Sequence, residues 1–598
     1  MLPGSGTVLD KGNLDPADDC DMYIARVPIR QPPPVSSRPS RLRVERLGPL
    51  PLLNHLLERL GVERLLDRFV PTDDRRGRIS NAKALGVLLR SILVEREPVY
   101  RQQETVATFA PEAFGIGEED VAALGDDRMG RALDRLFDAD RGALLTELVV
   151  SMAKTFDVSF DRFHNDSTSV SLTGQYARAK GRSIRGRKAP FITYGYSKDY
   201  RPDLKQLLLV LTTTGDGGLP VQFRCEAGNT SDSKTHVETW DALCRVAGGT
   251  KFLYVADSKL CSEEAMDHID RRKGRFVTVL PRSRAEDARF RKWVQDHEPA
   301  WEVVRDRPHP RRKGGPRDRW SVWRSDLPSR ESWTIVWLKS ELLRLKQGAT
   351  REENIARAQQ QLETLRQRIE TRRPRAEHRL RARTDKILAR RKVSTYLKVK
   401  IEQEPEHVYR QENRGRPGPD TRYRRVTKRR WLISWEIDRA KIAYDRKSDG
   451  MYPLLTNDMD LTPAQVFESH KGQPSLERRF EQWKTVHEIA PVFLKNEARI
   501  EALFFLYALA LLAHAVLERE LRRAMRRDNV EFLALYSEER RSRRPTTDQV
   551  LRLFSLVARH VVERADGTAE AFEPELTEVQ TQVLRLLGVP LSAYTKTG

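Results

Sequence analysis

Phe252-Leu253-Tyr254-Val255-Ala256-Asp257-Ser258 and, earlier in the chain, Phe163-His164-Asn165-Asp166-Ser167-Thr168 are short runs of strand composition that each carry one carboxylate. Aromatic and β-branched residues in such runs favour extended chain. A carboxylate inside or at the end of an apolar strand is costly to bury unless it is paired or bound to a cation. Two such strands lying side by side in a sheet bring Asp166 and Asp257 to one point. A third carboxylate, supplied by a helix, would complete a site for hard divalent cations, which take oxygen ligands. Two such ions about 3.5–4 Å apart activate an attacking oxygen and stabilise the leaving oxygen of a phosphodiester. The plainer reading of either aspartate is a strand-end residue that caps the next turn.

Outward from these runs, strand composition recurs over 158–172, 191–197, 206–213 and 219–224, followed by a helical pattern over 234–246. A strand at 251–257, a helix at 262–272 and a strand at 275–281 complete the series. This order predicts an α/β layer with mixed strand directions. It is compatible with a ribonuclease H-like core and with several other α/β folds. Before it, residues 46–157 repeat apolar positions at helical spacing, as in Leu52-Leu53, Leu56-Leu57 and Leu60, and predict an all-helical domain, open to a role either in DNA binding or in dimerisation. Residues 1–45, with Gln31-Pro32-Pro33-Pro34, read as a disordered tail.

After the layer, residues 282–465 are basic and interrupted. Ile355, Ala358, Leu362, Leu365 and Ile369 alternate by three and four along a long helix. That seam serves either a local helical hairpin with the segment at 387–401 or a coiled coil between subunits. Residues 410–430, rich in Arg and holding Gly415, Pro417 and Gly418, read as a flexible basic loop, followed by strands at 431–437 and 451–455. A helix follows Pro474, a long apolar helix spans 499–525, and 526–598 reads as a helical C-terminal region. The apolar stretch 502–517 contains His514, is flanked by charges and is too short for a confident membrane span.

The chain has 598 residues, enough for several domains. Lys and Arg total 107 against 85 Asp and Glu, a net charge of +22 that favours a polyanionic partner such as nucleic acid. The four cysteines form no CxxC pair, which predicts neither a zinc site nor a disulfide framework and fits a reducing compartment. No basic stretch followed by an apolar run opens the sequence, so no signal peptide is expected. No GxxxxGK[ST] loop, HExxH or GxSxG motif is present, which argues against ATP hydrolysis, zinc hydrolysis and a serine nucleophile elbow.

Several motifs, in order, resemble bacterial insertion-sequence transposases of the DDE type. They are Gly195-Tyr196-Ser197-Lys198-Asp199-Tyr200-Arg201-Pro202-Asp203-Leu204-Lys205-Gln206, Glu226-Ala227-Gly228-Asn229-Thr230-Ser231-Asp232, Val255-Ala256-Asp257-Ser258 and Asp449-Gly450-Met451-Tyr452-Pro453-Leu454-Leu455-Thr456-Asn457. The resemblance spans 166–484 and is to the group with a Tyr-Arg-Glu-Lys helix motif and an N-terminal helical domain. It implies Asp166 and Asp257 as the first two catalytic carboxylates and Glu477, with Lys484 at the group's spacing, as the third. His470 and Gln473 stand where the group has Tyr and Arg, so the chain departs from the pattern upstream of Glu477. Glu481, one turn on, is the rival for the third position.

The fold so implied is multidomain α/β plus α. A ribonuclease H-like mixed-sheet catalytic core over 158–281 and 466–525 is interrupted by the insertion at 282–465, with the helical N-terminal domain before it and the helical C-terminal region after. By the same resemblance Asp166, Asp257 and Glu477 hold two Mg²⁺ ions, with Mn²⁺ able to substitute, and Lys484 contacts a DNA phosphate. The insertion would be largely β, contact the transposon end and help hold a flipped base. Trp293, Trp301, Trp320, Trp323, Trp333, Trp337, Trp431 and Trp435 fall within it, and aromatic faces among basic residues suit base stacking. The implied partners are transposon-end DNA with terminal inverted repeats, target DNA and a second subunit in a homodimeric synaptic complex. No membrane partner is expected, and the implied location is the bacterial cytoplasm, associated with the nucleoid. Two other classes fit the same residues: a structure-selective nuclease without strand transfer, and a DNA-binding descendant without catalysis.

Overall fold

The computed structural model describes residues 41–595, apart from 73–77, 310–311, 372–375, 537, 539 and 565. Residues 1–40 of the expected tail therefore lie outside the described residues, while Arg41–Arg46 is a strand. The described residues divide into two compact units, 41–44 with 560–572, and 45–559 with 573–595.

The larger unit is built on one nine-stranded sheet. Its strands, with the two of a separate ribbon, are β1 (Arg162–Leu172), β2 (Lys205–Thr214), β3 (Pro220–Ala227), β4 (Leu253–Ala256), β5 (Arg275–Val279), β6 (Glu302–Arg307), β7 (Asp318–Arg324), β8 (Thr334–Ser340), β9 (Leu397–Gln411), β10 (Tyr423–Ile437) and β11 (Met451–Thr456). The sheet order is β3-β2-β1-β4-β5-β11-β8-β7-β6. Strands β1, β4 and β5 are mutually parallel, and every other neighbouring pair is antiparallel. The mixed α/β layer expected from 158–281 is thus present. The insertion contributes β6–β8 and β11 as a direct antiparallel continuation of the same sheet. Sequence marks a strand but not the edge on which it docks.

Helices α1 (Leu50–Leu60), α2 (Val62–Phe69), α3 (Asn81–Val94), α4 (Asp126–Asp138) and α5 (Arg141–Phe156) form the N-terminal helical layer. Farther along lie α6 (His236–Ala247), α7 (Glu263–Arg271), α8 (Ala285–Trp293), α9 (Glu341–Thr371), α10 (Glu377–Arg391), α11 (Pro463–His470), α12 (Pro474–Glu481) and α13 (Glu497–Arg527). Alternation along the strands decides what covers each face. Phe252, Tyr254 and Phe276 point to the side of Trp240 on α6, whereas Leu253, Val255 and Val277 pack with Val466 and Phe467 of α11. The N-terminal helices share their core with α13, and Arg141–Glu501 (2.7 Å) and Arg499–Asp134 (2.8 Å) tie the two together. Helix α13 is long and apolar enough to cross a membrane, but 94% of its apolar window is buried inside the protein.

Four expectations are corrected. The insertion is not largely β, since the helices Glu341–Thr371 and Glu377–Arg391 lie within it beside its strands. Residues 191–197 form only isolated bridges, Lys180–Phe191 and Thr193–Gln206. A Cβ at Gly195 would lie 1.9 Å from the Gly228 carbonyl oxygen, so this chain crosses its neighbour instead of pairing along it. The basic segment at 410–430 is not a loop throughout: β9 and β10 pair continuously from Leu397–Ile437 to Gln411–Tyr423, leaving only the turn between. The C-terminal region is not purely helical. Its helices Thr547–Phe554 and Glu578–Leu587 are accompanied by strand pairs, including Ala558–Glu563 with Ala569–Phe572, where Val561-Val562 favours extended chain. The seam Ile355, Ala358, Leu362, Leu365 and Ile369 is buried within the chain against α10 and the ribbon, which is the local hairpin.

Candidate active site

Strands β1 and β4 run parallel with Asn165 opposite Ala256. One residue farther, Asp166 and Asp257 come side by side at the end of that pairing. Both belong to the face that carries His164 and Val255, since side chains alternate along a strand. Neighbouring odd positions of β1 face the other way. There Asn165 accepts from Thr212 Oγ1 at 2.8 Å, and His236 Nδ1 lies 3.0 Å from the Tyr254 hydroxyl. This buried polar network fixes the strands from behind. Asp257 is further oriented by the Lys259 amide, which donates to its Oδ1 at 2.9 Å, and Thr278 Oγ1 donates to its carbonyl at 2.7 Å.

Two residues not singled out from sequence complete the charge pattern. Lys198, on the segment between β1 and β2, places Nζ 3.3 Å from Asp232 Oδ2 and 3.9 Å from Asp166 Oδ1. The same ammonium donates to Ser167 Oγ at 2.9 Å. Asp232 begins the short turn Asp232–Thr235 that leads into α6. Both stand inside motifs quoted above, but a charged residue in a loop has no periodicity to betray its partner. Burial, opposed by Lys198 and by the Ser167 amide and reinforced by Asp257 and Asp232, pushes the Asp166 carboxyl up to about 6. Burial likewise raises that of Asp257. An ionised carboxylate in a desolvated place lacks counter-charge, which is the condition under which a cation binds well.

Glu477 is exposed on α12, which packs over β1 and β2. The approach of α12 depends on Gly472, where a Cβ would lie 2.4 Å from His164 Nε2. The helix is pinned by Arg479, whose guanidinium is buried. Its Nε donates to the Gly218 carbonyl, its Nη2 to that of Gly217, both at 2.9 Å, and it pairs with Glu518 at 2.9 Å. Glu477 therefore belongs to the helix that covers the face of Asp166 and Asp257. Among the described residues, however, no three His, Cys, Asp or Glu side chains converge closely enough to ligate one ion. Lys484 lies in the continuation of α12 and donates to Asp199 Oδ1 at 2.6 Å, so its ammonium is held by the residue next to Lys198. His470 and Gln473, at the departures from the Tyr-Arg pattern, sit in the α11–α12 corner, and His470 meets Tyr452 edge to face at 5.8 Å.

The tryptophans of the insertion are not offered as open faces. Trp337 is buried and stacks on Phe290 at 3.5 Å, and Trp293 stacks on Trp323 at 5.2 Å. The exposed aromatic rings near the carboxylates are instead Tyr196 and Tyr200, flanking Lys198 and Asp199.

Residues 42–150 match a protein family described as a domain of unknown function, DUF4277. No curated protein matches the sequence. Among solved structures, a piggyBac transposase synaptic complex with hairpin DNA matches at 11% identity and a TM-score of 0.24, over 50% of this chain and 63% of that one. The Mos1 transposase paired-end complex with left transposon end matches at 14% identity and a TM-score of 0.13, over 32% of this chain and 56% of that one. The Mos1 mariner paired-end complex with Mn matches at 14% identity and a TM-score of 0.12, over 36% of this chain and 69% of that one. The chain thus spans less than two thirds of the first two proteins it matches.

Proposed function

We propose that the chain is a DNA transposase of a bacterial insertion sequence, with a ribonuclease H-like core and an Asp166–Asp257–Glu477 triad. It would cleave at transposon ends bearing terminal inverted repeats and join them to target DNA. The observation that carries this reading is the placement of Asp166 and Asp257. They are adjacent, partly buried carboxylates, one on β1 and one just past the end of the parallel strand β4, on the face covered by the helix of Glu477. Sequence motifs in the order described above support the same assignment.

The donor set suits Mg²⁺, or Mn²⁺ in its place. All the ligands are carboxylate oxygens, and one cation, the Lys198 ammonium, already settles among them. A bound divalent ion supplies Lewis-acid stabilisation of the attacking and leaving oxygens. The chain itself does the rest. Asp166 and Asp257 are held by the sheet, and Glu477 closes from α12. Lys198 screens the carboxylates while DNA is away, and Lys484 exchanges Asp199 for a DNA phosphate. A homodimer in the bacterial cytoplasm would hold two ends in synapsis.

The test is joining. Purified protein is incubated with an end-bearing duplex, Mg²⁺ and a supercoiled target. Joined products support a transposase; cleavage without them leaves a nuclease, and binding without cleavage leaves a DNA-binding descendant.

A further inference from the structure

The β9–β10 ribbon has 15 residues in each strand and, among the described residues, no third strand beside it. At about 3.3 Å per residue it is roughly 50 Å long. Its proximal half is anchored: Val399, Ile401, Ile433 and Trp435 pack against Leu365, Ile369 and Leu380 of the α9–α10 hairpin. Beyond Gln403 the ribbon has no such backing, and most residues to the tip are exposed.

That free half is basic, with nine Lys and Arg against four acidic residues between 404 and 430. Strand alternation puts Arg410, Arg424 and Lys428 on one face and Arg425 and Arg429 on the other. Tyr409 and Tyr423, both more than half exposed, are diagonal neighbours on the second face near the tip. Among the described residues Arg410, Arg424 and Arg425 form no ion pair, so their charge is not spent inside the protein.

We infer that the distal half of the ribbon is an arm that inserts into a groove of duplex DNA. The inference rests on the DNA reading above but not on the triad. A second copy of so basic an arm would be repelled. A single strand laid on a sheet needs only one basic face, whereas a groove brings phosphates to both sides of what enters it. The major groove, about 12 Å wide, admits a two-stranded ribbon.

The test compares the full-length protein with the variant Arg410→Ala, Arg424→Ala, Arg425→Ala and Arg429→Ala. Affinity for a duplex of arbitrary sequence, several helical turns long, is measured by anisotropy across a range of KCl. Each phosphate contact contributes about 0.9 to the slope of log K against log salt, so the slope should fall by about 3–4, with affinity at low salt falling roughly 10²-fold or more. The corresponding Arg→Lys variant should retain most of the slope. An unchanged slope overturns the arm, as does a loss seen only with single strands. Duplex binding that depends on the arm in a protein that fails to cut would leave this inference standing and sink the triad. Wild-type protein that binds no duplex would sink both.

Discussion

Replacing Asp166 by Asn in metal-free protein should stabilise the fold at high pH. Burial lifts the Asp166 carboxyl from 3.8 to about 6, and this is already net of the attraction exerted by Lys198 and the Ser167 amide. At 1.36 kcal/mol per unit, the displacement corresponds to about 3 kcal/mol. Because the folded value lies above the unfolded one, the stabilisation from protonation is complete below about 3.8 and is lost as pH rises through about 6. At pH 8 the wild-type fold therefore carries an ionised, desolvated carboxylate that the amide replaces with a neutral group. The Asp166→Asn variant should gain about 2–3 kcal/mol at pH 8 and close to nothing at pH 3. With an unfolding entropy of roughly 2.1 cal/mol/K per residue, the gain appears as a rise of about 2 °C in Tm. Calorimetry in EDTA across pH reads it directly. Adding Mg²⁺ should then stabilise wild type and not the variant, because only the carboxylate binds the ion and a ligand of the native state stabilises it. A variant less stable than wild type at pH 8, or a difference that ignores pH, would refute the argument that Asp166 is held at a cost for cation binding.

Two further outcomes follow from the helix that carries Glu477. Arg479→Met should destabilise the fold by about 2–4 kcal/mol, measured by thermal unfolding, because α12 loses its anchor on the Gly217 and Gly218 carbonyls and Glu518 keeps only Arg522 of its two guanidinium partners. Lys484→Ala should change stability by no more than about 1 kcal/mol, since its pair with Asp199 is partly exposed, yet weaken binding of end-bearing DNA by filter binding.

The strand ending before Asp257 was legible because its apolar run is buried on both faces and stands out from the charged sequence around it, whereas the strand bearing Asp166 is buried but largely polar and shows mainly through its β-branched and aromatic residues. The α9 seam was legible too, since its three-and-four spacing marks a buried stripe whichever helix fills it. What sequence could not say was its partner, which proves to be α10 within the same chain. The ribbon was hidden for the opposite reason. Its distal strands are polar on both faces, so no alternation survives, and Gly415, Pro417 and Gly418 colour the whole segment although they occupy only the turn. The segment 191–197 looked like a strand by composition, but the close approach of Gly195 and Gly228 belongs to tertiary structure. Lys198 and Asp232 became visible as partners only when the sheet and the turn before α6 brought them to Asp166.

Strand cleavage of an end-bearing duplex in Mg²⁺, comparing wild type with Asp257→Ala, tests the central claim most directly. The account predicts metal-dependent cleavage that disappears in the variant while DNA binding persists. A variant that cuts as well as wild type would show that Asp257 holds no catalytic ion, and the carboxylate centre described here would not be the active site.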